Sequence, residues 1–419
     1  MNLHEASRMG DKRLVNSLLM TGVDVGILTK NKEAALDLAT SANHVAVMAL
    51  LIDSGADVNR WNTLWNYTPL STAVTCRHDA ETVASECRVD AVRLLLSHGA
   101  DVNHKVDGWA PLLRAAFSGC SAIVGLLLEH GASLCQTSFV VACKEGYHAV
   151  AEILLKYGIE AKTLSKYDRD AAWLAVLSHS RPSDWLSVVE QMTKNGFNVN
   201  QFLNTSGTPL KVACANKNAS SAIVKVLLEH CTVTFINQGD PVYMMTPLHE
   251  AAIRGCVAMV KILLNSGADI ESKTRLHQTP LWFAVRKRNI DVAILLINNG
   301  ADFSASAFLS GKSVRTEGRK TPLRVAVENQ DYNMCSLLVN AGLDLKYETW
   351  LTSAPFAGNL LAEKLMHVVS NPSSLLRLAR LSIRQKIAKQ LVELEQLVPR
   401  MAIPNIIKTI ILLQDHKTK

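Results

Sequence analysis

The residues that could do covalent or metal chemistry are few, and none stands in a working pattern. Ser310-Gly-Lys-Ser313 carries the Gly-Lys-Ser of a phosphate loop, in which backbone N–H groups and a lysine surround phosphate oxygens. Position 306 is Ser rather than Gly, and no apolar strand leads into it, so that nest of amides is not expected. Cys76, His78 and Cys87 offer zinc-type donors, but no C-x-x-C or H-x-x-x-H pair completes four ligands. The chain has no G-x-S-x-G and no H-E-x-x-H, and no nucleophile stands beside a recognisable base. His249 sits inside a phrase that recurs along the chain, where a hydrogen-bonding role is expected rather than catalysis. No catalytic residue, no metal ligand and no cofactor is expected, and the chain reads as non-enzymatic.

What remains is binding, and composition limits its kind. Of the 419 residues 48% are apolar and 19% charged, which excludes wholesale disorder. The net charge of +7 invites a nucleic-acid or anionic-membrane reading. Residues 371–419 hold nine Lys or Arg and three Asp or Glu, so almost all of that excess belongs to the tail and the long body is nearly neutral. Neither nucleic acid nor membrane is therefore expected as a partner. The N-terminus has no apolar leader, no stretch is long enough to span a bilayer, and the nine scattered cysteines suit a reducing compartment. An intracellular protein is expected, cytoplasmic and with access to the nucleus.

The elements that position any binding residue come from repetition. The phrase Thr-Pro-Leu-x-x-Ala recurs at Thr68–Ala73, Thr208–Ala213, Thr246–Ala251, Thr279–Ala284 and Thr321–Ala326, with Ala110–Ala115 a near copy. Weaker copies start near residues 1, 34, 137 and 170. A second phrase follows: Ser54-Gly-Ala-Asp-Val-Asn59, His98-Gly-Ala-Asp-Val-Asn103, Ser266-Gly-Ala-Asp-Ile270, Asn299-Gly-Ala-Asp302. Thr caps a first helix and Pro occupies its first turn, where the missing N–H costs nothing. Leu and Ala of the phrase face the neighbouring unit. An apolar stripe such as Val260-Lys-Ile-Leu-Leu264 forms a second helix, and Gly55, Gly99, Gly131, Gly267 and Gly300 end it in left-handed conformation. With its 33-residue spacing and its T-P-L-H-x-A phrase the sequence resembles the ankyrin repeat. That resemblance implies an all-α solenoid of about ten helix-turn-helix units with β-hairpin fingers over residues 1–345.

Irregular units mark candidate contact points, because insertions in repeats fall in loops. Residues 75–89 lengthen the turn inside the third unit, and residues 303–320 lengthen a finger, bringing Arg315 and Arg319 into it. Trp61 and Trp65 stand in a finger where polar residues are usual, so they read either as anchors for a protein substrate or as packing against the next unit. Trp109, Trp173 and Trp282 are expected to be framework.

After residue 345 the repeat stops. Residues 346–370 have helical apolar spacing suited to a cap, and residues 371–416 form a different module. Leu375, Ala379, Ile383 and Ile387 recur every four residues with Arg377, Arg380, Arg384 and Lys386 between, an amphipathic helix with Ser374 as its cap. Pro404 fits the first turn of a last helix. Ser374, Leu375, Ala379 and Ile383, followed by Ile403-Pro404-Asn-Ile-Ile407, resemble a SOCS box, although Ala379 stands where Cys is usual and Ala402 where Pro is usual. An ankyrin array with this box resembles the ankyrin repeat and SOCS box family. The resemblance implies a substrate-recognition adaptor for ubiquitin conjugation. Leu375, Leu378, Ala379 and Ile383 would bind Elongin C, with Elongin B behind it. Ile403, Pro404 and Ile407 would meet cullin-5 and its RING protein. The alternative is a non-degradative ankyrin scaffold whose tail caps the solenoid.

Overall fold

A computed structural model describes residues 2–62, 66–75, 88–218, 220–308, 319–341, 343 and 348. The expectations for Trp65, Arg315, Cys76, His78, Cys87 and Ser310–Ser313 fall outside the described residues. So do those for the tail: Leu375, Leu378, Ala379, Ile383, Ile403, Pro404 and Ile407.

Local capping starts the helices where the phrase places them. Thr68, Thr208, Thr279 and Thr321 each accept, through Oγ1, the N–H three residues on, at 3.2–3.3 Å, with Pro at the next position. Each such cap is worth about 1 kcal/mol. The phrase Leu and Ala are buried throughout: Leu36, Leu70, Leu112, Leu248, Leu281 and Leu323 with Ala39, Ala73, Ala115, Ala251, Ala284 and Ala326. A methyl at the Ala position lets neighbouring helices pack closely without leaving a void.

The chain divides into two units, Met1–Asn204 with Thr208–Cys231 and Thr205–Gly207 with Thr232–Lys419. In the first unit the first helices pack each on the next in a row: Leu3–Met9, Ala35–Ser41, Pro69–Val74, Pro111–Phe117, Gln136–Glu145, Lys166–Ser178 and Pro209–Ala215. The second helices form a parallel layer, from Lys12–Met20 through Val45–Asp53, Val89–Ser97, Ser121–Glu129, His148–Lys156 and Leu186–Lys194 to Ser221–His230. The second unit repeats this with Pro247–Arg254, Pro280–Arg286 and Pro322–Glu328 in one row, and Val257–Asn265, Ile290–Asn298 and Tyr332–Asn340 in the other. No pair could bury its apolar stripe alone, so within each unit the stack supplies the core.

Three expectations change. The fingers are not β-hairpins with paired strands. Among the described residues there is no strand, and the fingers close on isolated antiparallel bridges: Leu28 with Ala34, Asn62 with Tyr67, Val106 with Trp109, Ala307 with Lys320. Their polar groups are committed elsewhere. Asp57 and Asp101 each accept the N–H two residues on at 2.9 Å. Asn59 donates to Gly99 O at 2.8 Å and accepts from Asp101 N at 2.6 Å, and Asn103 does the same with Gly131 O and Ser133 N at 3.2 and 2.7 Å. Asn237 repeats the bridge to Gly267 O and Asp269 N in the second unit. Asn59, Asn103 and Asn237 therefore each fasten a finger to the helix end of the following repeat.

The copy near residue 170 is the second change. Its helix starts earlier, at Lys166, because Ser165 caps it by accepting from Asp168 N at 3.1 Å, which leaves Asp170 buried inside the helix. Third, Cys120 is disulfide-bonded, whereas Cys135, Cys143, Cys214, Cys231, Cys256 and Cys335 are free thiols. Cys120 therefore departs from the free-thiol pattern that suits a reducing compartment. No helix among the described residues is long and apolar enough to cross a membrane.

Candidate functional site

The candidate site lies in the first unit and begins with how one finger is tied down. Arg60 donates from Nη2 to Lys32 O at 2.9 Å, and its Nε lies 3.8 Å from Asp37 Oδ2. Asn62, fully buried, donates to the same Lys32 carbonyl at 3.1 Å and forms the bridge with Tyr67. Trp61 lies between these two anchored residues. Its indole is 52% exposed. Its Nε1 donates to Asn66 Oδ1 at 3.0 Å, and Asn66 in turn donates to Asp107 of the following finger. The ring meets His104 edge-on, with centroids 6.1 Å apart.

Asp107 belongs to the turn that aims the second aromatic. Asp107 and Gly108 both take positive φ, 53° and 79°, and Val106 and Trp109 exchange backbone hydrogen bonds across them at 3.0 Å. This two-residue reversal is favoured by Asp-Gly. It places Trp109 at the mouth of the helix Pro111–Phe117, 39% exposed and edge-to-face with Phe117, itself 51% exposed, at 5.8 Å. Trp109 is therefore surface rather than framework, whereas Trp173 and Trp282 are fully buried as expected. Beside it opens a cleft of about 320 Å³ lined by Thr75, Asp107, Trp109, Arg114, Phe117 and Ser118. Arg114 is fixed by donating to Val106 O at 3.0 Å. Exposed aromatics next to an oriented arginine make a surface suited to protein side chains. His104, Trp109 and Phe117 were not among the sequence candidates; the Asp107-Gly108 pair was the signal that could have found the turn that presents Trp109.

The electrostatics under the finger are unusual. Asp37 takes the place in its phrase that His249 takes in its own, and it is 2% exposed. Burial pushes its carboxyl up to about 6, against the opposing pull of the Ala34 N–H, which donates to Oδ2 at 2.8 Å, and of Arg60. Burial, with Asp37 nearby, pushes the Tyr67 hydroxyl up to about 12, so it stays protonated.

In the second unit His249 has the structural role its position suggested. Nδ1 accepts from Thr246 N at 3.1 Å and pairs with Thr246 Oγ1 at 2.8 Å, and Nε2 lies 3.0 Å from Gln278 O. The neutral tautomer with its proton on Nε2 satisfies all three. Burial holds the ring down to about 4. Trp282, at the same place in its phrase, donates to Lys320 O at 3.3 Å. Arg319 lies 5.2 Å over the ring of Phe308. Among the described residues no group of three or more His, Cys, Asp or Glu is placed to hold a metal ion.

A family model described as ankyrin repeats in three copies matches residues 3–85, 81–138, 183–274, 219–307 and 272–349. The chain is 29% identical over 159 residues to the ankyrin repeat and KH domain-containing protein mask-1 of Caenorhabditis elegans, a match covering 37% of this chain and 6% of that protein. It is 28% identical over 190 residues to the putative ankyrin repeat protein YahD of Escherichia coli strain K12, covering 36% of this chain and 94% of that one. It is also 24% identical over 313 residues to the E3 ubiquitin-protein ligase KEG of Arabidopsis thaliana, covering 72% of this chain and 17% of KEG.

Proposed function

The chain belongs to the ankyrin-repeat family, a family of protein-binding frames, and from that premise we propose that it is the substrate-recognition adaptor of an Elongin B/C–cullin-5 RING ubiquitin ligase. It acts by proximity and contributes no catalytic group. The repeats hold a protein substrate, and the C-terminal box, residues 371–416, docks the ligase. The observation that carries the binding half is the set of exposed Trp61, Trp109 and Phe117, with half-buried His104 against Trp61, held by anchored fingers beside the Arg114 cleft. Rigid aromatics with an arginine are the side chains that concentrate binding energy at protein interfaces.

The ligase half is supported by the likeness of the tail to a SOCS box. Leu375 is the anchor of the docking helix, with Leu378, Ala379 and Ile383 beside it, and Ile403, Pro404 and Ile407 form the cullin contact. Ala379 buries less than cysteine would, so Elongin affinity is expected below that of a typical box. The match to KEG spans 17% of that protein, so its ligase activity lends little to this reading.

Co-expression with Elongin B and Elongin C tests it. The full chain should co-purify with both, and Leu375→Asp should abolish that association by placing a charge in an apolar pocket. An unchanged yield with Leu375→Asp would refute the docking role and favour a scaffold whose tail caps the array. Proximity labelling with and without residues 371–419 then separates degraded substrates, which accumulate only when the tail is missing.

A further inference from the structure

The second unit carries a separate surface at its finger tips, starting where Asp240-Pro-Val-Tyr-Met-Met245 turns around one buried carboxylate. Asp240 Oδ1 accepts from Val242 N at 2.9 Å and Tyr243 N at 2.7 Å, and Oδ2 accepts from Met245 N at 3.1 Å. Backbone bonds close the same loop, Met244 N to Asp240 O at 2.9 Å and Asp240 N to Met245 O at 3.1 Å. Met244 is held at φ 60°, in the left-handed region, and a Cβ on Gly239 would lie 2.5 Å from the Met244 carbonyl. The turn is thus over-determined and strained. Yet it holds Val242, Tyr243 and Met244 out in water, the last two 62% and 51% exposed. Apolar side chains displayed on a preorganised, strained turn contribute little to packing, and they can bind without an ordering cost.

The next finger extends this tip with positive charge. Arg275 N donates to Tyr243 O at 3.0 Å and Arg275 Nη2 to Pro241 O at 2.6 Å, so the two tips are tied together. Lys273, Arg275 and His277 are exposed there. His277 meets Phe308 edge-on at 6.4 Å, Phe308 N donates to Leu276 O at 3.0 Å, and exposed Arg319 lies over the Phe308 ring. The acids of these fingers are engaged inside them: Asp240 in the turn, Asp269 with Glu271 N at 2.9 Å, and Glu271 with Asp302 N at 2.7 Å. The row of tips therefore sets exposed apolar side chains beside the exposed cations Lys273, Arg275 and Arg319, while the exposed carboxylates of Asp269 and Asp302 are tied to backbone N–H groups of their own fingers.

We propose that these finger tips dock an extended segment of a protein partner that offers an apolar or aromatic side chain to Val242, Tyr243 and Met244, and carboxylates to Lys273, Arg275 and Arg319. Charge complementarity selects an acidic segment, and the exposed apolar side chains select a protein over a simple polyanion. The proposal goes beyond the ligase reading. It uses none of the Trp61 site and holds whether or not the tail recruits Elongin.

The test selects phage-displayed peptides on the full-length chain and titrates the best one, fluorescein-labelled, by fluorescence anisotropy. Enrichment of an aromatic residue or leucine beside Asp or Glu is expected. Tyr243→Ser with Met244→Ser should weaken that peptide at least about tenfold, as should Arg275→Glu, while Trp61→Ala leaves it unchanged. Tyr243→Ser alone, at the most exposed position, serves if the double variant melts below the native chain. Recovery of basic or uncharged peptides, recovery of nothing, or unchanged affinity in the Tyr243 variants overturns the proposal. So does salt-steep binding of single-stranded RNA or phosphatidylserine vesicles that Arg275→Glu abolishes and the Tyr243 variants do not touch, because the tips would then be a polyanion surface.

Discussion

Trp61 is displayed because the residues on either side of it are occupied. Arg60 and Asn62 both reach back to Lys32 O, which anchors the finger on either side of the indole. Trp61→Ala should therefore leave stability within about 0.5 kcal/mol of the native chain, as is usual for an exposed substitution. It should also remove from the proximity-labelled set those proteins that depend on the cleft, by at least about tenfold if Trp61 is an anchor. Labelling of the tail-deleted chain with and without Trp61→Ala, beside a thermal melt of each, reads both quantities. An unchanged labelled set would leave the indole without a binding role. The same finger shows why a residue-by-residue sequence reading is incomplete. Trp61 is conspicuous by type, whereas His104 and Phe117 become meaningful only when folding brings them beside Trp61 and Trp109.

At the scale of elements the stack is joined by side chains that reach from one repeat to its neighbour's backbone. Asn103 is one such tie, donating to Gly131 O and accepting from Ser133 N. Asn103→Ala removes both bonds at an exposed site where water can replace them. A loss of about 1 kcal/mol is expected, read from the denaturant midpoint with an unchanged slope. A second tie explains a glycine. Gly119, at φ 72°, follows the helix Pro111–Phe117, and a Cβ there would lie 2.5 Å from the ring of Tyr147 in the next repeat. The helix end is glycine so that the following repeat can lay an aromatic ring across it. The fingers, by contrast, differ from the expected hairpins because their polar groups serve Asx turns and these inter-repeat ties rather than a ladder.

At the scale of the molecule, the two units respond to acid in opposite directions. His249 in the second unit is lowered from 6.5 to about 4, so between those values the unfolded chain takes up a proton that the folded ring refuses. Stability present above pH 6.5 is lost as the pH falls to 4, by up to about 3 kcal/mol. Asp37 in the first unit is raised from 3.8 to about 6, so the folded state takes up its proton first. Its contribution is fully present below 3.8 and lost as the pH rises through 6, with a similar ceiling of about 3 kcal/mol. Opening free energies from hydrogen exchange should therefore rise around Ala35–Ser41 and fall around Pro247–Arg254 when the pH drops from about 7 to about 4.5. A common shift in both regions would contradict this assignment.

The sequence by itself determined the helices and their stacking units, because the signals are local. A Thr cap, a Pro in the first turn, an apolar stripe and a glycine past the helix end each act within a few residues, and repetition makes them unmistakable. It also placed His249 and Trp282 correctly, since both sit at a fixed place in the phrase. Only the tertiary structure decided which aromatics face water and which acids are buried. Trp109 is surface while Trp282 is core, and Asp37 is a buried acid whose carboxyl is pushed up to about 6 while Asp107 lines a cleft. Exposure, desolvation and the joining of finger to finger depend on what neighbouring repeats bring up against a residue, and no local pattern encodes that.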